Sequence, residues 1–305
     1  MIHTDIQLNG GGYVAFISSA RGGTCFRLLH TPTCADILRT PRDEAHLLEN
    51  VYLFGNPLLF PPNRIVGGSF RFEGKDYRLP LNEPATGCHV HGALYGQAFT
   101  IEEKDENYVR LSYRAAAGEY INFPHAFTFV REYTLDTDGL HERDSVTNES
   151  NSRMPFLLAY HTTFSLTPFQ NSRPEDARVR LAVGREEMRT EKFIPTGEFR
   201  APGAREAALA NGSYAPHGTH LSAFYECNDT MVLTDTRENR SVCYEGDDQF
   251  SYRMLFASAD GGFFVCEPQT TAIDCFHLPK PPQEYGLVTI EPQETKVYNT
   301  KIYVK

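Results

Sequence analysis

The segment Phe127-Thr128-Phe129-Val130-Arg131-Glu132-Tyr133-Thr134-Leu135 decides the fold class. Phe127, Phe129, Tyr133 and Leu135 share one parity, the period-two pattern of a half-buried strand. Arg131 is the odd member of that face. The same alternation recurs upstream, where Val109, Leu111 and Tyr113 interleave with Arg110, Ser112 and Arg114. It returns at the C-terminal end, where Tyr298, Thr300, Ile302 and Val304 interleave with Asn299, Lys301 and Tyr303. Tyr13 to Ile17, Met231 to Leu233 and Phe263 to Cys266 read as short apolar strands.

Between such runs stand turn signals: Asn9-Gly10-Gly11-Gly12, Arg21-Gly22-Gly23, Thr137-Asp138-Gly139 and Asp260-Gly261-Gly262. Glu73-Gly74-Lys75 separates Ser69-Phe72 from Asp76-Leu79 and predicts a hairpin. Helix signals are few. Thr40 is positioned to cap a helix with Pro41 at its first position, running towards Asn50. Arg205 to Asn211, closed by Gly212, is the second candidate. The 42 glycines and prolines are scattered, and no repeat or composition shift marks a border. One all-β domain over residues 1–305 is expected, a large antiparallel sandwich with a few short helices.

The 29 basic and 39 acidic residues leave a formal charge of −10, which disfavours nucleic acid and anionic membrane surfaces as partners. Met1 to Gly23 lacks a basic start followed by an apolar stretch, and no run approaches the roughly 18 residues that cross a bilayer. A cytoplasmic protein is the expectation. Seven cysteines without a CxxC pair then read as reduced thiols buried as small hydrophobes.

Motifs for phosphate loops, dinucleotides and nucleophile elbows are missing. Cys88-His89-Val90-His91 sets two histidines on one side of an extended segment, but no third ligand is evident, so no metal is expected. The remaining signals are polar residues in apolar settings, where they are costly unless paired or used. Asn63-Arg64 follows Leu58 to Pro62, and His91 follows a Pro-Gly loop. His161 interrupts the apolar run from Phe156 to Phe164. Glu267 ends the strand from Phe263 and precedes Pro268-Gln269. Taken singly, each has a structural explanation: a hydrogen-bonded histidine, a surface arginine, the first solvated residue of a strand.

Together these segments resemble the aldose 1-epimerase (galactose mutarotase-like) family. The resemblance runs from Asn56-Pro57 through Asn63-Arg64 and His91-Gly92 to the second histidine segment, Tyr160-His161-Thr162-Thr163-Phe164. It continues with Pro195-Thr196-Gly197, Val265-Cys266-Glu267-Pro268-Gln269-Thr270 and the closing Gly286 to Glu294. It implies a supersandwich with a sugar cleft, His161 as acid, Glu267 as base, and Arg64, His91, Asn63 and Gln269 as sugar contacts. The implied partner is a small sugar, a hexose or hexose phosphate, handled without cofactor by a monomer or homodimer. Alternatives are a hexose-6-phosphate 1-epimerase, with Lys75 and Arg78 as a basic lip, and a non-catalytic sugar binder. Tyr95, Phe99 and Phe164 are candidates to stack on the sugar. A carboxylate close to His161 is expected to hold the imidazole charged. One departure concerns an aspartate that many members use to hold a sugar hydroxyl. The segment Gly218 to Tyr225 has none, which leaves Asp235, Asp247 or Asp248 as substitutes.

Overall fold

The structure, a computed structural model, describes residues 4–305. Two eight-stranded antiparallel sheets dominate it. The first runs Thr100–Lys104, Tyr108–Ala115, Phe127–Asp136, Gly139–Asn148, Thr295–Val304, Arg240–Gly246, Met231–Asp235 and Ala177–Arg180 in spatial order. The second contains Pro195–Arg200, Glu186–Arg189, Leu221–Glu226, Tyr252–Ala257, Phe263–Gln269, Ala159–Tyr160 and Leu58–Leu59, with Thr162–Ser165 also on Phe263–Gln269. A four-stranded N-terminal sheet, Ile6–Gly10 to Ala35–Asp36, completes the frame. The predicted all-β architecture is therefore present.

Register explains the odd member of the opening segment. Phe127, Phe129, Arg131, Tyr133 and Leu135 are all 0% exposed. Arg131 pairs directly with Asp144, and Tyr133 with Glu142, on the neighbouring strand. Arg131 thus enters the interior with two carboxylates beside it: it bonds Glu142 and lies 3.3 Å from Asp144 through Nε. A buried charge is tolerable only when so paired.

This cluster ties the first sheet to the functional one. Asp144 accepts the Tyr160 hydroxyl at 2.9 Å, and Glu142 accepts the Asn56 amide at 3.0 Å. Asn56 precedes Pro57, whose carbonyl accepts the His161 N–H at 2.9 Å. Thr162 reaches across to the Tyr244 hydroxyl at 2.9 Å.

Local elements follow their turn chemistry. The hairpin Ser69–Phe72 to Lys75–Arg78 closes at Glu73-Gly74, with φ of 48° and 80°, the mirror-type turn that suits twisted strands. Lys75 is thus already a strand residue. Helix α1, Glu44–Glu49, is capped by Asp43, whose side chain accepts the His46 N–H, and not by Thr40. The Thr40 hydroxyl is spent on the Phe26 carbonyl, so the start shifts to the next good cap. Helix α2, Ala204–Asn211, ends as expected at Gly212, with φ of 77°. The seven cysteines are free thiols; six are buried and Cys34 is exposed. Among the described residues, no helix is long and apolar enough to cross a membrane.

Candidate active site

His161 and Glu267 are brought together by strand register. His161 stands in the short gap between Ala159–Tyr160 and Thr162–Ser165, both of which pair with Phe263–Gln269. The flanking pairs are Ala159 with Gln269 and Thr162 with Cys266, which sets His161 opposite Glu267. Residues directly opposite have side chains about 5 Å apart at Cβ. The outcome is a contact of 3.3 Å between His161 Nε2 and Glu267 Oε1. Gln269 donates to the other carboxylate oxygen at 2.9 Å.

The pair forms part of the wall of an open cavity of about 320 Å³. That lies at the lower end of the roughly 300–1,000 Å³ typical of small-molecule sites. Asn63, Arg64 and His91 line it with them, so five of the six expected site residues converge there. Gln269 is the exception. It is fully buried behind Glu267 and does not line the cavity, so its place is that of a support and not of a sugar contact.

Asn63 and His91 are locked to one another. The Asn63 N–H donates to His91 Nδ1 at 3.3 Å, and the His91 N–H donates to the Asn63 carbonyl at 3.1 Å. Both lie at positive φ, 53° and 61°, a conformation that non-glycine residues adopt at a cost and often at functional sites. The lock leaves the Nε2–H of His91 free to face the cavity. It also ends the strand Cys88–Val90, so His89 and His91 do not act as a pair; His89 bonds the Pro80 carbonyl at 2.7 Å. Gly92 is required beside them: a Cβ there would lie 1.8 Å from the Phe60 carbonyl oxygen.

Arg64 is held by Glu83 through two bonds of 2.7 Å, from Nε and from Nη2. Its Nη1 is the nitrogen left for a ligand. Burial dominates the electrostatics of the central pair. His161 is 7% exposed and Glu267 2%. Burial pushes Glu267 up to about 8, against the Gln269 hydrogen bond and the charges of Arg189 and Arg64. It pulls His161 down to about 4. Burial thus works against the expected imidazolium beside a carboxylate, because it disfavours the charged form of each group. Near neutral pH the pair holds one proton between its two members.

The expected aromatic neighbours are also revised. Phe99 and Phe164 are core residues, 4% and 0% exposed. Tyr95 touches the site only through Tyr52, hydroxyl to hydroxyl at 3.2 Å. Tyr52, not expected from the sequence, lines the cavity together with Phe193 and Phe256, its ring centroid 4.6 Å from that of His91 and 6.0 Å from that of His161. Its only signal was an aromatic in the turn-rich stretch that ends at Gly55. Lys75 and Arg78 do not line the cavity; Lys75 reaches the Pro124 carbonyl instead. Arg189 was likewise unexpected, although Glu187 and Arg189 share one parity of a short strand, an unusual polar face. None of Asp235, Asp247 and Asp248 lines the cavity. Within Gly218 to Tyr225 the residue that does so is Ser222, which accepts from Arg189 at 2.6 Å through its carbonyl.

Comparison with known proteins agrees with this fold. The family model for aldose 1-epimerase matches residues 5–303. The chromosomal LacX protein of Lactococcus lactis is 32% identical over 249 residues, covering 79% of this chain and 80% of that one. The crystal structure of a galactose mutarotase-like protein from Clostridium acetobutylicum superposes with a TM-score of 0.91 at 26% identity, over 98% of this chain and 94% of that one. Galactose 1-epimerase from Lactobacillus acidophilus shares the fold, with a TM-score of 0.71 at 16% identity over 97% and 92% of the two chains. With an imidazole and a carboxylate in contact on the wall of a cavity in this sandwich, and a family match along nearly its whole length, the chain belongs to the aldose 1-epimerase family.

Proposed function

We propose that this protein interconverts the α and β anomers of an aldose by acid–base opening and closing of the ring. The observation that carries the reading is the 3.3 Å contact of His161 and Glu267 on the cavity wall.

A cyclic aldose is a hemiacetal. Breaking its C1–O5 bond requires one proton to leave the C1 hydroxyl and another to reach O5. Half a turn about C1–C2 exposes the other carbonyl face, and closure reverses both transfers. No proton is gained or lost overall. The enzyme therefore needs two groups with one proton between them, which is the state that burial sets for this pair. With His161 as acid and Glu267 as base, the reacting form carries the shared proton on His161. Sugar hydroxyls that solvate the carboxylate favour that form. Each positioned transfer contributes about 100- to 10,000-fold. Arg64, Asn63 and His91 orient the ring. Chemistry of this type needs no redox or group-transfer cofactor.

Polarimetry on freshly dissolved α-D-glucose and α-D-galactose tests the reading. The wild type is expected to speed the approach to equilibrium well beyond the spontaneous rate in proportion to enzyme concentration. A rate independent of enzyme concentration for both sugars, and for their acidic derivatives as well, would overturn it.

A further inference from the structure

The cavity wall carries a guanidinium with no carboxylate of its own. Arg189 closes the strand Glu186–Arg189 and lines the cavity, with no salt-bridge partner among the described residues. Three of the nearby carboxylates face other partners. Glu83 is clamped on Arg64, and Glu267 faces His161. Glu186 is shared by Arg200 and Arg205. Glu187, the charge that bears most on Arg189, accepts the Ile273 N–H at 3.1 Å through Oε2 and leaves Oε1 without a hydrogen-bond partner; burial pushes it up to about 8 and favours its neutral form. The donors of Arg189 are poorly served as well. Nη2 is satisfied by Ser222, but the acceptor facing Nη1 is the Met254 sulfur at 3.7 Å, a weak one. Phe193 roofs this corner, its ring 5.0 Å from the Arg64 guanidinium and 5.8 Å from that of Arg189.

With Glu187 neutral, counting charges across the cavity gives a single surplus. Arg64 cancels Glu83, the His161–Glu267 pair is neutral with its one proton, and Arg189 remains. A neutral hexose leaves that cation uncompensated. A phosphate dianion overshoots and sets excess negative charge beside Glu267. One carboxylate balances the count and matches the planar fork of a guanidinium.

We propose that Arg189 selects a sugar bearing a single negative charge, a hexuronic acid whose carboxylate docks on the donors that Met254 leaves unsatisfied. The proposal rests on the aldose epimerase reading and names its substrate class.

The test compares D-glucuronate and D-galacturonate with D-glucose, D-galactose and D-glucose 6-phosphate in wild type, Arg189→Gln and Arg189→Lys. The readouts are kcat/KM by polarimetry above the spontaneous rate, and calorimetric affinity. A charge-assisted hydrogen bond accounts for about 10- to 100-fold. The uronates are expected to exceed the hexoses by that factor in the wild type. The uronate-to-hexose ratio falls by a similar factor in Arg189→Gln and is partly kept in Arg189→Lys. Wild-type hexose turnover equal to or above uronate turnover would overturn the proposal and leave the epimerase reading intact. A preference for the 6-phosphate would overturn the single-charge assignment. Failure on every sugar would refute the epimerase reading; the calorimetric arm would then decide the charge preference alone, equal affinity for uronate and hexose counting against it. The wild-type comparisons stand even if a variant fails to fold.

Discussion

Replacing Glu267 by Gln is expected to stabilise the fold in alkali while it removes the chemistry. In the unfolded chain a glutamate titrates near its ordinary value, whereas in the folded protein burial raises Glu267 to about 8. The folded state therefore binds this proton more tightly than the unfolded state. Stability from that source is fully present below the unfolded pKa and is lost as pH rises through the folded one. At 1.36 kcal/mol per unit, ionising Glu267 in place withdraws about 5 kcal/mol by pH 9, and about 3 of these disappear between pH 5.5 and 9. Glutamine has no proton to lose. Changes in packing and in the Gln269 contact are independent of pH and cancel when the two proteins are compared across the range. His161, present in both, bears mainly on stability below its ordinary value. For a chain of this size about 2 °C accompanies each kcal/mol. Calorimetric melting of both proteins should show the variant's advantage widening by about 6 °C from pH 5.5 to pH 9. A constant difference would mean that Glu267 ionises freely in the folded protein, and the shared-proton account would fail.

The pH profile of activity follows from the same pair. Below about pH 4 His161 gains a proton beside a protonated Glu267 and the base is lost; above about 8 the pair is stripped and the acid is lost. Values of kcat/KM should be level between these limits, and a steep rise through pH 6–7 would point to an ordinary, solvated histidine. Arg131→Met removes one partner of a buried cluster and leaves Glu142 and Asp144 unpaired. Urea unfolding should show a loss of about 3–5 kcal/mol, and a loss under 1 would mean that the cluster is hydrated. Gly92→Ala places a methyl group against the Phe60 carbonyl at positive φ. It should raise KM by displacing His91, and an unaltered KM would show that the Asn63–His91 lock is dispensable.

The strands were legible because alternation is a local signal. Phe127 to Leu135 declares its buried face whatever it pairs with. Arg131 broke that pattern, and its reason lay in Glu142 and Asp144 of the next strand, supplied by register alone. Helix α1 was placed but its cap was not, since Thr40 and Asp43 cap equally well until Phe26 claims the Thr40 hydroxyl. Of the residues that the family's motifs carry, His161, Glu267, Arg64, Asn63 and His91 line one cavity. Tyr52, Arg189 and Ser222 belong to no motif and reach the cavity only through packing. Phe99 and Phe164 failed the opposite way, because proximity in sequence to His91 and His161 does not tell on which face of a strand a ring lies. The burial that weighs on His161 and Glu267 was illegible for a similar reason: sequence shows that opposite charges can meet, but not how little water meets them.

The account depends on proton transfer by His161 and Glu267. Exchange NMR at equilibrium, on the anomers of whichever sugar the wild type turns over best, tests that directly. The wild type should exchange anomers at a rate proportional to enzyme concentration. His161→Asn and Glu267→Gln, still binding the sugar and still folded, should each return exchange to the spontaneous rate. Undiminished exchange in either variant would contradict the account.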